Sequence, residues 1–254
     1  MAFDWLTTPF LCGLLLALIL PWLGCYLRLR DEWLAALAYA HVAAAGALLA
    51  SLAGVPPTAG GLAAAAMAGW GKHRVVKRLS GHAAPALMWL AAWATSVLLV
   101  ANLPMAERLG HALFDGQLFF ADGRMLGMAA LALAIATFCL RRWSRPLLLA
   151  HVYPDFSRLR GEPAWALQAG FDVLAALLLA LATLSLGVMG AFALIYIPPW
   201  LAFRRGRNWS QGTRLAILIG GAAYVLAFAL ALAFDQPFGP VLVLVLLLFG
   251  VALA

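Results

Sequence analysis

The sequence predicts an all-α membrane protein, a polytopic helical bundle with about nine transmembrane helices and its N-terminus outside. The first observation behind this is composition: 65% of the 254 residues are hydrophobic and 11% are charged. Soluble domains carry about 45–50% apolar and about 25% charged residues. Because a helix needs about 20 mostly apolar residues to cross the hydrocarbon core, the excess indicates helices that face lipid.

The second observation is the spacing of the apolar runs, which charged residues, proline and glycine divide into nine candidate spans. We treat residues 1–254 as one transmembrane domain. The third and seventh spans are short and rich in small residues, so their ends are the least sharply defined. The spans are 9–27, 33–53, 58–71, 84–103, 125–140, 166–186, 188–203, 213–234 and 238–254.

The third observation is the distribution of basic residues. With the N-terminus outside, fifteen of the seventeen Lys and Arg residues fall in the four predicted inner loops or, for Arg214, at the adjoining span end, and only Arg108 and Arg124 do not. Inner loops of membrane proteins carry this excess. The net charge of +7 is therefore an orientation signal. Since no folded domain presents a basic face, we expect no nucleic-acid partner.

Enzymatic motifs are missing from the sequence. It contains no GxxxxGK[ST], HExxH or GxSxG pattern and no pair of carboxylates within the spans. Any use of ATP must therefore come from another chain, and we do not expect an enzyme.

Two ionisable residues inside predicted spans are candidates for a functional role, because such groups are costly there and usually functional. His41 lies inside the second span, where a neutral imidazole could bind a transition metal or pack as a core histidine against a neighbouring helix. Asp172 lies near the start of the sixth span. It could meet a cation or a basic partner, or reach water at the inner interface.

Two connecting segments are long enough to carry structure. The outer segment 104–123 could form a short helix or a re-entrant piece, and it contains His111, Asp115 and Asp122. These three residues suit a first contact site for divalent cations, or they belong to a solvated loop. The inner segment 144–163 could be an amphipathic helix where a soluble partner docks, or a solvated connector.

Four stretches, taken in order and spacing, resemble the permeases of zinc, manganese and iron-type metal ABC transporters. Together they extend over most of the chain. They are residues 24–30 with His41 and Gly46; 113–118 with Asp122; 152–156 with Gly161; and 186–187 with 193–202.

The resemblance implies an importer in the bacterial cytoplasmic (inner) membrane. Two copies of the permease would form the pathway, each docked on a cytoplasmic ATPase, and an extracytoplasmic metal-binding protein would deliver a divalent metal, zinc or manganese. The metal is the substrate, and no permanently bound cofactor is expected. The resemblance associates His41 with the metal path. It also matches 144–163 to the helix that seats on the ATPase, with Tyr153, Pro154, Asp155 and Arg158 as coupling residues.

The chain departs from the family pattern beside the histidine. Leu37 stands where the family has an aspartate four residues before His41, Ala36 replaces a glycine, and Ala45 replaces the proline before Gly46. Because ligand number and charge set cation affinity, losing the carboxylate weakens a hard cation site. The departure allows a softer site, another metal, a metal chelate, a site supplied by a partner, or a different substrate.

Pro198 has no backbone N–H and predicts a kink in the seventh span, which could shape the path or serve packing alone. Two other functions remain open. A stand-alone secondary transporter or channel would show internal repeats, which we do not find between residues 1–125 and 126–254. A structural or assembly subunit would show no transport at all.

Overall fold

The computed structural model describes residues 4–76, 82–153 and 164–253. Within these ranges the chain forms ten α-helices and one 3-10 turn at Leu118–Phe120, with no β-strand, which confirms the all-α prediction. The helices are α1 (Asp4–Leu29), α2 (Trp33–Leu52), α3 (Pro57–Val76), α4 (Ala83–Asn102), α5 (Pro104–Asp115), α6 (Gly123–Val152), α7 (Ala164–Leu186), α8 (Val188–Arg205), α9 (Trp209–Ala233) and α10 (Phe238–Leu253).

Nine of these helices coincide with the nine predicted spans, and α5 is the short helix expected in the outer segment. In the described parts of the chain, six helices are long and apolar enough to cross a membrane by length and composition: α1, α2, α4, α6, α7 and α9. Helix α10 is apolar but shorter. The total of nine crossings and the outside N-terminus stay predictions.

Burial divides the helices into a central and a peripheral group. In the most apolar stretch of α7, 83% of the residues are buried, and in α1 and α2 the share is 67%. The corresponding shares are 22% in α4 and 17% in α6. Large side chains such as Leu98, Phe138 and Leu248 point outward from the peripheral helices. Exposed apolar surface of this kind suits contact with lipid.

Small residues let the central helices approach closely. A Cβ added to Gly46 on α2 would overlap the side chain of Ala64 on α3. A Cβ added to Gly69 on α3 would lie 2.9 Å from the Cα of Val173 on α7. Such contacts replace the hydrophobic driving force that helices in lipid lack. They hold α2, α3 and α7 together as a tightly packed group.

Pro198 and Pro199 are buried in the middle of α8. Because neither has an N–H, the carbonyls of Leu194 and Ile195 lose their usual helical donors. The Ile195 oxygen lies against Gly24 of α1, where an added Cβ would overlap it. The prolines therefore lie at a close α1–α8 contact, which supports the packing interpretation. A role of Pro198 in gating stays a prediction.

An amphipathic helix was one of the two predictions for the inner segment 144–163. Over its first part, this segment is not a separate helix. Residues 144–152 continue α6 through Pro146 to Val152, so no new helix begins at 144. A helix tolerates an internal proline where the freed backbone groups find other partners. Tyr153 ends this helix and is 60% exposed. Pro154, Asp155 and Arg158 lie outside the described residues, so their coupling role stays a prediction.

Candidate functional site

Four charged side chains meet at the end of the bundle that carries the predicted inner loops. Arg30 follows α1, Glu32 precedes α2, Lys72 lies near the end of α3, and Asp172 lies in the third turn of α7. We call this group the charged quartet. Arg30 Nη1 is 2.9 Å from Asp172 Oδ1, and Arg30 Nη2 is 3.0 Å from Glu32 Oε2. Lys72 Nζ is 2.8 Å from Glu32 Oε1 and 3.0 Å from Asp172 Oδ2.

Pairing makes the burial of these charges possible. The side chain of Asp172 is 0% exposed and that of Lys72 is 6% exposed. Removing ions from water costs several kcal/mol per ion unless partners and hydrogen bonds compensate. Among the residues that the structure describes, each carboxylate of the charged quartet contacts both cations, so its two positive charges lie against its two negative charges. The quartet joins the α1–α2 turn to α3 and α7.

Arg30 is held by both carboxylates of the charged quartet. Burial lowers the pKa of Arg30, but attraction by Asp172 and Glu32 outweighs it and raises this pKa above its ordinary value. Its guanidinium carbon also lies 4.9 Å from the ring centre of Phe171. A raised pKa means that the stabilisation is fully present below the ordinary pKa of Arg30 and is lost only as pH rises through the raised value. Arg30 therefore stays charged throughout the neutral range.

The structure thus places Asp172 beside basic partners, one of the alternatives that the sequence left open. Both of its carboxylate oxygens contact cations of this chain. The nearby Tyr39 is 0% exposed, and its hydroxyl has no hydrogen-bond partner among the described residues. A role of Asp172 in the metal path stays a prediction.

His41 forms a different kind of polar centre. It lies in the third turn of α2 and is 2% exposed. Its Nδ1 is 3.0 Å from the carbonyl oxygen of Leu37, one turn earlier. Because a carbonyl only accepts hydrogen bonds, Nδ1 carries the proton, and in the neutral form that burial favours Nε2 then keeps its lone pair. The unprotonated nitrogen of a neutral imidazole is the atom that binds a transition metal.

The only aromatic contact of His41 in the described part of the chain is Trp89 of α4. The two ring centres are 6.1 Å apart and the planes meet at 73°, an edge-to-face arrangement. The described residues contain no group of three or more His, Cys, Asp or Glu side chains that could hold a metal ion. Within them, His41 is therefore a single ligand and not part of a closed metal cage.

The outer candidates do not gather into one cluster. His111 lies on α5, Asp115 is the last residue of α5, and Asp122 precedes α6; all three are exposed. The Asp122 carboxylate accepts a hydrogen bond of 2.9 Å from the backbone N–H of Met125. Asp122 therefore caps α6, a structural role that the sequence analysis did not assign. Contact of these residues with a cation stays a prediction.

Two glycines in left-handed conformations hold α5 against the bundle. Gly116 has φ 90° and Gly187 has φ 81°. A Cβ on Gly116 would lie 2.7 Å from the carbonyl carbon of Leu186, and one on Gly187 would lie 2.6 Å from the carbonyl oxygen of Phe114. Only glycine suits both the conformation and this spacing. The end of α5 is thereby seated on the turn between α7 and α8.

The sequence analysis missed three residues of these centres. Lys72 was assigned only to a basic inner loop, and Glu32 and Trp89 were not assigned a role. Opposite charges near the ends of neighbouring spans were a usable signal for Glu32 and Lys72. The connections between α1 and α2, after α3 and before α7 all lie on the predicted inner side. No pattern in the sequence pairs Trp89 with His41.

In the part of the chain that the structure describes, long apolar helices with charges confined mostly to their ends define a polytopic integral membrane protein. The model of the ABC 3 transport family matches residues 2–254, and the chain belongs to this family. This confirms the resemblance: the chain is a divergent permease of the metal ABC transporters.

Known proteins resemble the chain over nearly its whole length. A "probable iron transport system membrane protein" of Haemophilus influenzae is 25% identical, with 95% of this chain and 93% of that protein covered. The "chelated iron transport system membrane protein YfeD" of Yersinia pestis is 25% identical, with 98% and 84% covered. The solved structure of PsaBC from Streptococcus pneumoniae in complex with Fab has a TM-score of 0.83 at 18% identity, with 97% of this chain and 90% of that chain covered. At that identity the structure shows a shared fold.

Proposed function

We propose that this chain is the membrane-spanning subunit of an ABC importer that carries a transition-metal ion inward across the bacterial cytoplasmic membrane. A separate cytoplasmic ATPase supplies the energy, an extracytoplasmic metal-binding protein supplies the ion, and two copies of the chain form the pathway. The observation that carries the proposal is the match of the ABC 3 transport family over residues 2–254. The buried, neutral His41 supports it as a residue of the path.

The metal belongs to the zinc, manganese and iron group. The resemblance first suggested zinc or manganese, whereas the names of both curated relatives refer to iron and one of them to chelated iron. Imidazole suits zinc, copper, iron and nickel, and carboxylate suits manganese. Since Leu37 offers no side-chain ligand beside His41, we favour iron(II) or a chelated iron over manganese.

In the proposed mechanism, Nε2 of His41 binds the ion transiently and the rest of the path supplies water or weaker ligands. A single neutral ligand suits transport, because an ion held by a complete cage would not leave. Closure of the ATPase is passed to the bundle through residues 144–163, with Tyr153 at the exposed end of α6. The outer acidic residues and His111 are proposed as early contacts of the ion.

Co-purification tests the assembly. The tagged chain is isolated from its native host in mild detergent, and proteins that accompany it are identified by mass spectrometry. We expect an ATPase with a Walker A motif and an external binding protein. Repeated recovery of the chain alone, in preparations that preserve other ABC complexes, would favour a stand-alone transporter or a structural subunit.

Uptake of radioactive iron by cells tests the role of His41. We expect His41→Leu to reduce uptake at least tenfold while the complex still assembles. His82→Leu is the matched control, because His82 is an exposed histidine at the predicted inner end. Equal uptake by wild type and His41→Leu would remove His41 from the path.

A further inference from the structure

Trp89 of α4 packs against the imidazole of His41. Its ring meets the imidazole edge-to-face with centres 6.1 Å apart. The indole Nε1 is buried, yet it has no hydrogen-bond partner among the described residues. A buried N–H without an acceptor is costly, and each such group in a native structure calls for an explanation.

The two groups are chemically complementary. The bond from Nδ1 to Leu37 leaves Nε2 of His41 as an acceptor without a proton. The indole N–H of Trp89 is a donor only. Among the described residues, a donor without an acceptor and an acceptor without a donor therefore belong to two rings that are in contact.

Trp89 also belongs to a peripheral helix. Only 22% of the most apolar stretch of α4 is buried, against 67% in α2, which carries His41. Trp89 itself is partly buried, and Trp93 one turn further along α4 is 48% exposed. His41 thus lies in the packed centre, and its aromatic neighbour Trp89 lies on a peripheral helix.

We propose that Trp89 is a positioning residue that caps His41: from the packed arrangement seen here its indole N–H turns to pair with Nε2, and a metal that takes that nitrogen must displace it. This inference rests on the proposed function, because it requires His41 to be a metal ligand. The cap keeps the lone pair satisfied in the empty state and makes metal binding compete with a hydrogen bond. It thereby weakens affinity, as release of the ion requires.

The matched variants Trp89→Phe and Trp93→Phe test the cap in the full chain purified in detergent. Zn²⁺ is the probe, and its affinity is measured by titration calorimetry. A net hydrogen bond is worth about a factor of 2 to 10 in an equilibrium constant, so we expect Trp89→Phe to bind Zn²⁺ about 2- to 10-fold more tightly than wild type. Trp93→Phe should bind as wild type does. If Trp89 only packs against His41, Trp89→Phe should bind Zn²⁺ more weakly than wild type or equally well.

His41→Leu separates the two proposals. If wild type binds Zn²⁺ through His41 and Trp89→Phe shows no gain, the cap is overturned and His41 remains a ligand. If His41→Leu binds Zn²⁺ as wild type does, the ligand role fails and the cap fails with it. The gain should also vanish in the double variant Trp89→Phe/His41→Leu.

A second measurement reads the indole directly and covers the case of a poorly folding variant. In the ¹⁵N-tryptophan-labelled wild-type chain, the Trp89 indole signal is assigned by its loss in Trp89→Phe or in the conservative Trp89→His. We expect Zn²⁺ to shift this signal and to leave the Trp93 signal in place. A Trp89 signal that does not respond to saturating Zn²⁺ would overturn the cap.

Discussion

Two buried polar centres lie on α2 and at its start. They lower the cost of burying polar groups in a membrane protein in opposite ways. The charged quartet gathers four ions from three neighbouring parts of the bundle and cancels their charges at distances of 2.8–3.0 Å. His41 stays neutral, satisfies one nitrogen within its own helix and leaves the other available. The difference indicates a structural clamp at one centre and a ligand-binding position at the other.

The physical basis of this contrast is the cost of changing each centre. Removal of one member of a buried ion cluster leaves a charge without compensation, whereas removal of a neutral histidine loses one modest hydrogen bond. The charged quartet joins the ends of α2, α3 and α7 on the predicted inner side. We therefore expect changes in the quartet to cost more stability than changes at His41.

The largest effect is expected from Asp172→Ala. This change leaves Arg30 and Lys72 with one carboxylate between them, and we expect the free energy of unfolding to fall by about 3–5 kcal/mol. Denaturant unfolding in detergent, followed by tryptophan fluorescence, measures the loss. The charge-balanced double variant Asp172→Asn/Lys72→Met should recover at least half of it. A double variant as unstable as Asp172→Ala would show that packing, not charge balance, stabilises this region.

A smaller effect is expected from His41→Leu. Leucine is apolar and of similar size, and the Leu37 carbonyl keeps its backbone donor, so we expect a loss of about 1 kcal/mol or less in unfolding free energy. The same unfolding assay applies, with the Zn²⁺ titration alongside it. We expect stability to persist while metal binding disappears. A loss as large as that of Asp172→Ala would make His41 a core residue and erase the contrast.

The smallest effect is expected from Asp31→Asn. Asp31 pairs with His82 at 3.9 Å, but the two side chains are 81% and 62% exposed. Solvent-exposed pairs of this kind contribute little. Asp31 has φ 53°, a conformation that asparagine also accepts. We therefore expect an unchanged unfolding midpoint within error. A clear destabilisation would show that charge at this end matters irrespective of burial.

Sequence patterns predicted much of the architecture because the bilayer imposes simple rules. Apolar length and the positions of arginine and lysine predicted nine spans, and each coincides with a helix. The short helix α5 was one of two alternatives predicted for the segment 104–123. The continuation of α6 to Val152 was not, since Pro146 and the charges around it are typical of a break.

The candidate site was predictable only in part. The sequence by itself determined that the chain is helical and membrane-embedded, and that His41 and Asp172 are the ionisable groups to explain, because hydropathy and the cost of buried charge act locally along the chain. Only the tertiary structure decided that Asp172 forms ion pairs in one cluster with Arg30, Glu32 and Lys72. It also decided that the ring of Trp89 packs against His41. Those contacts join residues far apart in sequence, and the helix packing that creates them depends on close approaches such as Gly69 against Val173.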